Sequence, residues 1–147
     1  MPASDAATPA SDATPFSPPP ARPHWRFDLD GCLVDSFAAT DLRPHAAELL
    51  LALRARGLRV TIWSAGGEEY ARRVAARVGI AALVDGYDEK VRGPDGRWTL
   101  TGVAAADLVC VDDQPEGLPR GVTVVAVFPY LGPDPHDRVL EQVLRTL

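Results

Sequence analysis

In 147 residues the chain has two cysteines, three histidines and one lysine. Cys32 and Cys110, each inside an apolar run, make neither a disulfide framework nor a thiolate metal cluster, so a reducing compartment is expected, with the cytoplasm as the default. His24, His45 and His136 are scattered without metal-ligand spacing, and each is expected on the surface or in a loop. No apolar run approaches ~20 residues, so no membrane-spanning helix is expected. The first residues have neither the basic start nor the apolar core of a secretory signal, and they are acidic where an organelle transit peptide is basic. An excess of positive charge is missing too. At a net charge of −5 the chain has little with which to hold a phosphate backbone, and nucleic acid is not an expected partner.

What is present is ordinary for a globular protein: 46% apolar and 24% charged residues, in a length suited to one domain with a substantial core. Residues 1–23 stand apart. "PASDAAT" is followed by "PASDAT" and "PFSPPPARP", and such Ala, Ser, Asp and Pro sequence cannot bury enough apolar area to offset its ordering entropy. A disordered tail is expected there, with the folded domain over 24–147.

From Trp25 onward, strand and helix patterns alternate. "WRFDL" reads as a short first strand. "RPHAAELLLALRARG" places Ala46, Leu49, Leu50 and Leu53 on one helical face, with Pro44 at the start and Gly57 as the stop. "LRVTIWS" reads as a second strand, and "EEYARRVAARVG" as a helix ended by Gly79. "AALVDGY" reads as a third strand, "VRGPDGRWTL" as a small hairpin, and "DLVCVDD" and "GVTVVAVF" as the fourth and fifth strands. A last helix is expected from Pro135, with Asp134 as its N-cap. Such alternation predicts an α/β fold: a three-layer, Rossmann-like sandwich around a parallel sheet of about five strands. Ligands of such sheets bind beyond the carboxyl ends of the strands, so the residues that end strands carry the functional information.

Those residues are chemically uniform. The first strand runs into Asp28 and Asp30, two apart and on one side if the strand continues. The second ends in Ser64 and Ala65, Lys90 follows the third, and the fourth ends in Asp112 and Asp113. Asp28, Asp30 and Asp112 are suited to hold a hard cation through oxygen, and Mg2+ would leave room for substrate oxygens. Lys90 is the only lysine against fourteen arginines. A chain that otherwise uses arginine retains a compact ammonium here, either for a task that needs a point charge or by chance on a solvated loop.

The set resembles the haloacid dehalogenase superfamily of phosphohydrolases. "FDLDG" is similar to its first motif, "VTIWS" to its second, Lys90 stands where the third motif's lysine belongs, and "LVCVDD" is similar to the acidic fourth. The resemblance implies a phosphate monoesterase in which Asp28 is the nucleophile, Asp30 the general acid and base, and Ser64 with Ala65 the phosphoryl-binding loop. It implies that Lys90 neutralises the charge shared by Asp28 and the phosphoryl group. It also implies that Asp28, Asp112 and the backbone carbonyl of Asp30 bind Mg2+, with Asp113 a second ligand or an outer-shell acceptor. Cys32 departs from the family's usual Thr and reads as a small buried side chain. Asp35 and Ser36 read as caps of the following turn. The intervals from Asp30 to Ser64 and from Ser64 to Asp112 leave no room for a cap domain. A site without a cap is open and admits a bulky substrate, a phosphoprotein or another bulky phosphate ester, with sugar phosphate and nucleotide also open. The alternatives are a non-catalytic binding domain of the same fold and a phosphotransferase. A response-regulator receiver would carry its acidic pair and acceptor Asp in a different chain order.

Overall fold

The computed structural model describes residues 23–147; the tail expected at its amino end lies outside the described residues, apart from Pro23. Five strands form one parallel sheet: β1 (His24–Phe27), β2 (Arg59–Ser64), β3 (Gly86–Glu89), β4 (Leu108–Asp112) and β5 (Thr123–Ala126). Three helices accompany them: α1 (Ala46–Ala55), α2 (Glu68–Val78) and α3 (Val139–Arg145). The strand order is β3-β2-β1-β4-β5. Connections run outward from β1 through β2 to β3, then return past β1 to β4 and β5. The direction therefore reverses between β1 and β4, which makes their carboxyl ends the crevice of the sheet.

Alternation along the strands separates the two faces. Trp25, Phe27, Val60, Ile62 and Val111 point to one side and join Leu49, Leu50 and Leu53 of α1, Ala71, Val74 and Ala75 of α2, and Leu140 and Val143 of α3 in one core. Burying each of these leucines contributes about 1.5–3 kcal/mol, and α1 forms where the apolar spacing places it. Its start is later than Pro44, because His45 takes a left-handed conformation (φ 69°) and ends the incoming loop. α2 ends at Gly79 as the glycine rule predicts, with a left-handed φ of 86°.

Among the described residues no α-helix covers the opposite face. Trp63, Leu108, Cys110 and Leu118 form a smaller core there, roofed by Trp98, Leu100 and Val103. The third layer is thus a thin one, built from the β3–β4 connection and single turns of 3-10 helix at Ala105–Asp107 and Pro115–Gly117. Right-handed crossovers explain the asymmetry, since reversing direction at β4 throws the β3–β4 and β4–β5 connections onto this side, and neither contains an α-helix. The hairpin expected around Pro94 is present, with Arg92 bridging Trp98 in antiparallel fashion.

Three sequence expectations are corrected. The third strand starts at Gly86 rather than Ala81, because Ala81–Leu83 form a 3-10 turn and Asp85 accepts the Val60 backbone N–H, which delays pairing. The last helix starts at Val139, not Pro135; Asp134 accepts the N–H of His136 in a preceding turn, and Asp137 accepts that of Val139. His24 lies in β1 instead of a loop, where Nε2 meets Thr61 Oγ1 at 2.9 Å. Burial and the neighbouring Arg26 depress its pKa to about 4.

Arg26, mid-strand on the thin face, is 4% exposed. Its Nη2 donates to the Thr101 carbonyl at 3.0 Å and lies 3.4 Å from Asp88, and the guanidinium lies over the Trp63 ring at 5.1 Å. Nε and Nη1 have no hydrogen-bond partner. A buried charge satisfied at only one nitrogen is replaced at little cost by an apolar chain of similar length. Arg26→Met is expected to leave the melting temperature unchanged or raise it; a fall of more than about 5 °C in a thermal melt, beyond ~1 kcal/mol for a domain of this size, would contradict this.

Candidate active site

β1 ends at Phe27, and the chain turns at once. Leu29 O accepts the N–H groups of Cys32, Leu33 and Val34, and Gly31 N donates to Val34 O at 2.8 Å. Gly31 is required twice over: its φ is +82°, and a Cβ there would stand 2.6 Å from Asp113 Oδ2 and 2.8 Å from Ser36 Oγ. The loop that follows is wound around Asp35, whose carboxylate accepts the backbone N–H groups of Ala38, Ala39, Thr40 and Asp41. Burial raises its pKa, but those four donors outweigh it and hold the carboxyl below its ordinary range. The capping role expected of Asp35 is present, but Ser36 does not share it: its N–H and hydroxyl both donate to Tyr130 O instead.

At the crevice, Asp28 continues the pairing with β4 by donating its N–H to Val111 O at 2.9 Å, so Asp28 and Asp112 stand side by side. Lys90 reaches between them, and its Nζ donates to Asp28 Oδ1 at 2.9 Å and to Asp112 Oδ2 at 2.8 Å. Lys90 is 7% exposed, so the sole lysine is a buried charge and not a solvated loop residue. Its backbone N–H donates to Ser64 O at 2.9 Å, which anchors it to the end of β2. Trp63 and Trp98 flank the ammonium, with ring centres 5.9 and 5.3 Å away. Trp98 is held in place: its backbone N–H donates to Gly117 O, Arg92 lies over the ring at 4.4 Å, and a Cβ at Gly117 would stand 3.2 Å from the indole nitrogen, a tight fit. It is a fixed wall of the site.

Carboxylate oxygens of Asp28, Asp112 and Asp113 lie within 4.8 Å of one another. Burial, more than any neighbour, raises the pKa values of Asp28 and Asp112, and Lys90 pulls against that rise in both. Burial also opposes the charge on Lys90, but the two carboxylates overcome it and hold the ammonium above its usual pKa. Three acids around one cation leave the group short of positive charge.

The grouping differs from the sequence expectation in one respect. Asp30 does not bring its carboxylate to the cluster, because β1 has ended and the Gly31 turn breaks the two-residue alternation that would have aligned it with Asp28. Its Oδ1 accepts instead from the Tyr70 hydroxyl at 2.8 Å. Asp113 takes the third place. Ser64 is 2% exposed at the end of β2, and its Oγ accepts the Gly66 N–H at 3.1 Å; Ala65 is exposed beside it. Cys32 is fully buried, with Sγ 3.7 Å from Val111 O, and burial drives its thiol far above the range where a thiolate forms. It packs the site from below.

Two contributing residues had no sequence signal beyond their type. Tyr70 reads only as one member of an apolar helix face. Arg43, fully enclosed at 1% exposure, donates to the carbonyls of Gly31, Cys32 and Phe128 and pairs with both carboxylate oxygens of Asp137. It fastens the turn carrying Asp28 and Asp30 to the segments after β5.

No family model matches the chain, and no curated protein matches it. Among solved structures it is similar to an uncharacterized protein from Listeria monocytogenes serotype 4b. The TM-score is 0.49 and the sequence identity 15%, over 85% of this chain and 99% of that one.

Proposed function

We propose that this chain is a Mg2+-dependent phosphate monoesterase of the haloacid dehalogenase type, acting through an aspartyl-phosphate. The observation that carries the reading is Lys90 Nζ, buried and shared between Asp28 and Asp112 at 2.9 and 2.8 Å, beside a group of three carboxylates. Two acids share one buried lysine and a third acid stands beside them at the crevice of a parallel sheet; perturbed acids in such a place suit catalysis.

The donor set fits Mg2+. It is all oxygen and hard, and its negative charge exceeds the protein's own positive charge at the site. Asp28, Asp112, Asp113 and the Asp30 backbone carbonyl would hold the ion, which would neutralise phosphate oxygens as charge develops on them. The remaining steps belong to the chain. An Asp28 carboxylate oxygen attacks phosphorus, the bond to the leaving oxygen breaks, and Asp30 gives that oxygen its proton. Water then attacks phosphorus and passes its proton to Asp30, and the Asp28–phosphorus bond breaks to release phosphate and restore the carboxylate. Lys90 stabilises the charge on Asp28 and the phosphoryl group, and the Ser64 hydroxyl, whose oxygen already accepts from Gly66, is free to donate to a phosphoryl oxygen.

The substrate we assign is bulky, a phosphoprotein or similar ester, because among the described residues no domain is inserted between Asp28 and Asp112 to enclose the site. Both cysteines are free and buried, which suits the reducing cytoplasm. Among the described residues no helix is long and apolar enough to cross a membrane.

The reading is tested by incubating the purified chain with p-nitrophenyl phosphate. Phosphate release is expected with Mg2+ and loss of that release in EDTA, restored by excess Mg2+. Equal rates in EDTA would sink the metal-dependent mechanism.

A further inference from the structure

We propose that Tyr70 is the positioning residue for Asp30: by donating its hydroxyl to Oδ1 it sets the carboxyl's orientation and leaves Oδ2 to carry the exchanged proton. The inference rests on the phosphatase reading above and adds to it a residue that the site motifs do not contain.

The geometry is specific. The Tyr70 hydroxyl lies 2.8 Å from Asp30 Oδ1, across 40 residues of sequence. Among the described residues no other side chain hydrogen-bonds this carboxylate; apart from Tyr70, only its own backbone N–H bonds to it. Tyr70 sits in the first turn of α2, immediately after the loop that carries Ser64 and Ala65. Its path to Asp30 is kept clear by Gly66, where a Cβ would stand 2.6 Å from the Tyr70 ring. Unlike Gly67, whose φ is +99°, Gly66 is not among the residues with positive φ, so the passage of this ring is the structural reason for glycine there.

An acid that must first give a proton and then take one needs a fixed oxygen for the exchange. With Oδ1 accepting from Tyr70, the proton resides on Oδ2. It passes to the leaving oxygen when Asp28 displaces the alcohol, and a proton from the attacking water returns to the same atom. A free carboxyl would divide its time among orientations, and a misplaced group loses rate steeply. Packing against Gly66 needs only an aromatic ring, so Tyr70→Phe removes the hydroxyl and keeps the filler.

The experiment compares full-length wild type, Tyr70→Phe, Asp30→Asn and the double variant in Mg2+, on an alkyl phosphate and on p-nitrophenyl phosphate. The readout is kcat/KM, which covers the steps up to departure of the alcohol. An alkoxide leaves poorly without a proton, whereas nitrophenolate needs little help. Tyr70→Phe is expected to lower kcat/KM about 10-fold on the alkyl ester and markedly less on the nitrophenyl ester. Adding it to Asp30→Asn is expected to cost nothing further, since the two act as a unit. Gly66→Ala, which pushes the ring off its path, is expected to show the same selectivity. Equal losses on both esters, or losses that multiply in the double variant, would show that Tyr70 only packs. Wild type that releases phosphate from neither ester would overturn the phosphatase reading, and this inference with it; wild-type turnover with an unselective Tyr70→Phe overturns this inference alone.

Discussion

Asp28→Asn is expected to lower turnover on the order of 10³-fold or more while leaving the melting temperature in EDTA equal to or above that of the wild type. The two halves have separate causes. The amide cannot attack phosphorus, so the covalent step is lost. The fold has little to lose, because the Asp28 carboxylate is held against its own electrostatic preference. Burial withdraws water from its carboxylate, Asp112 repels it, and Lys90 alone favours the charge. Asparagine keeps the volume, and its oxygen still accepts from Lys90 Nζ, so the substitution removes a repelled charge and no packing. Steady-state rates in Mg2+ and thermal melts in EDTA check both halves. Retention of a tenth of the activity would remove Asp28 from the nucleophile's role, and a large drop in melting temperature would make it a structural residue.

The second large effect is Arg43→Met, expected to destabilise the fold by about 3–5 kcal/mol, a fall in melting temperature on the order of 10 °C. Arg43 and Arg26 are both buried arginines, yet the same substitution is expected to move them in opposite directions. Nε and Nη2 of Arg43 pair with Asp137 at 2.9 and 3.1 Å, Nη2 also reaches Phe128 O at 2.7 Å, and Nη1 reaches the carbonyls of Cys32 and Gly31 at 3.3 and 3.4 Å. All three nitrogens are used, and the guanidinium also lies 5.3 Å over the Tyr130 ring. Methionine leaves Asp137 Oδ2 and the Cys32 and Phe128 carbonyls without their donor, while Asp137 Oδ1 keeps the Val139 N–H and Gly31 O keeps that of Tyr130. Such orphaned groups cost far more than a single net hydrogen bond. Arg26 leaves two nitrogens unpaired already, so its removal strands little. A melting temperature within 2 °C of wild type for Arg43→Met, a change well under ~1 kcal/mol, would contradict this reading of the network.

The sequence by itself determined the alternation of strands and helices and the apolar side of α1. Both follow from local periods: two residues in a strand, 3.6 in a helix, with Gly57 and Gly79 stopping helices that cannot continue through a left-handed residue. It also determined the strand ends. Parallel strands share one carboxyl edge, so Asp28, Ser64, Lys90 and Asp112 had to meet there once the sheet was inferred, and a lone lysine among arginines marked the cation of the site. The tertiary structure decided which acids group together. The Gly31 turn ends the strand period before Asp30, sending its carboxylate to Tyr70 and leaving Asp113 as the third acid. It decided the thin third layer, since the handedness of the return to β4 places connections without an α-helix on that face. Arg43 and Tyr70 find partners 94 and 40 residues away. No local period carries such pairings; they exist only after the crossovers and turns have brought distant segments together.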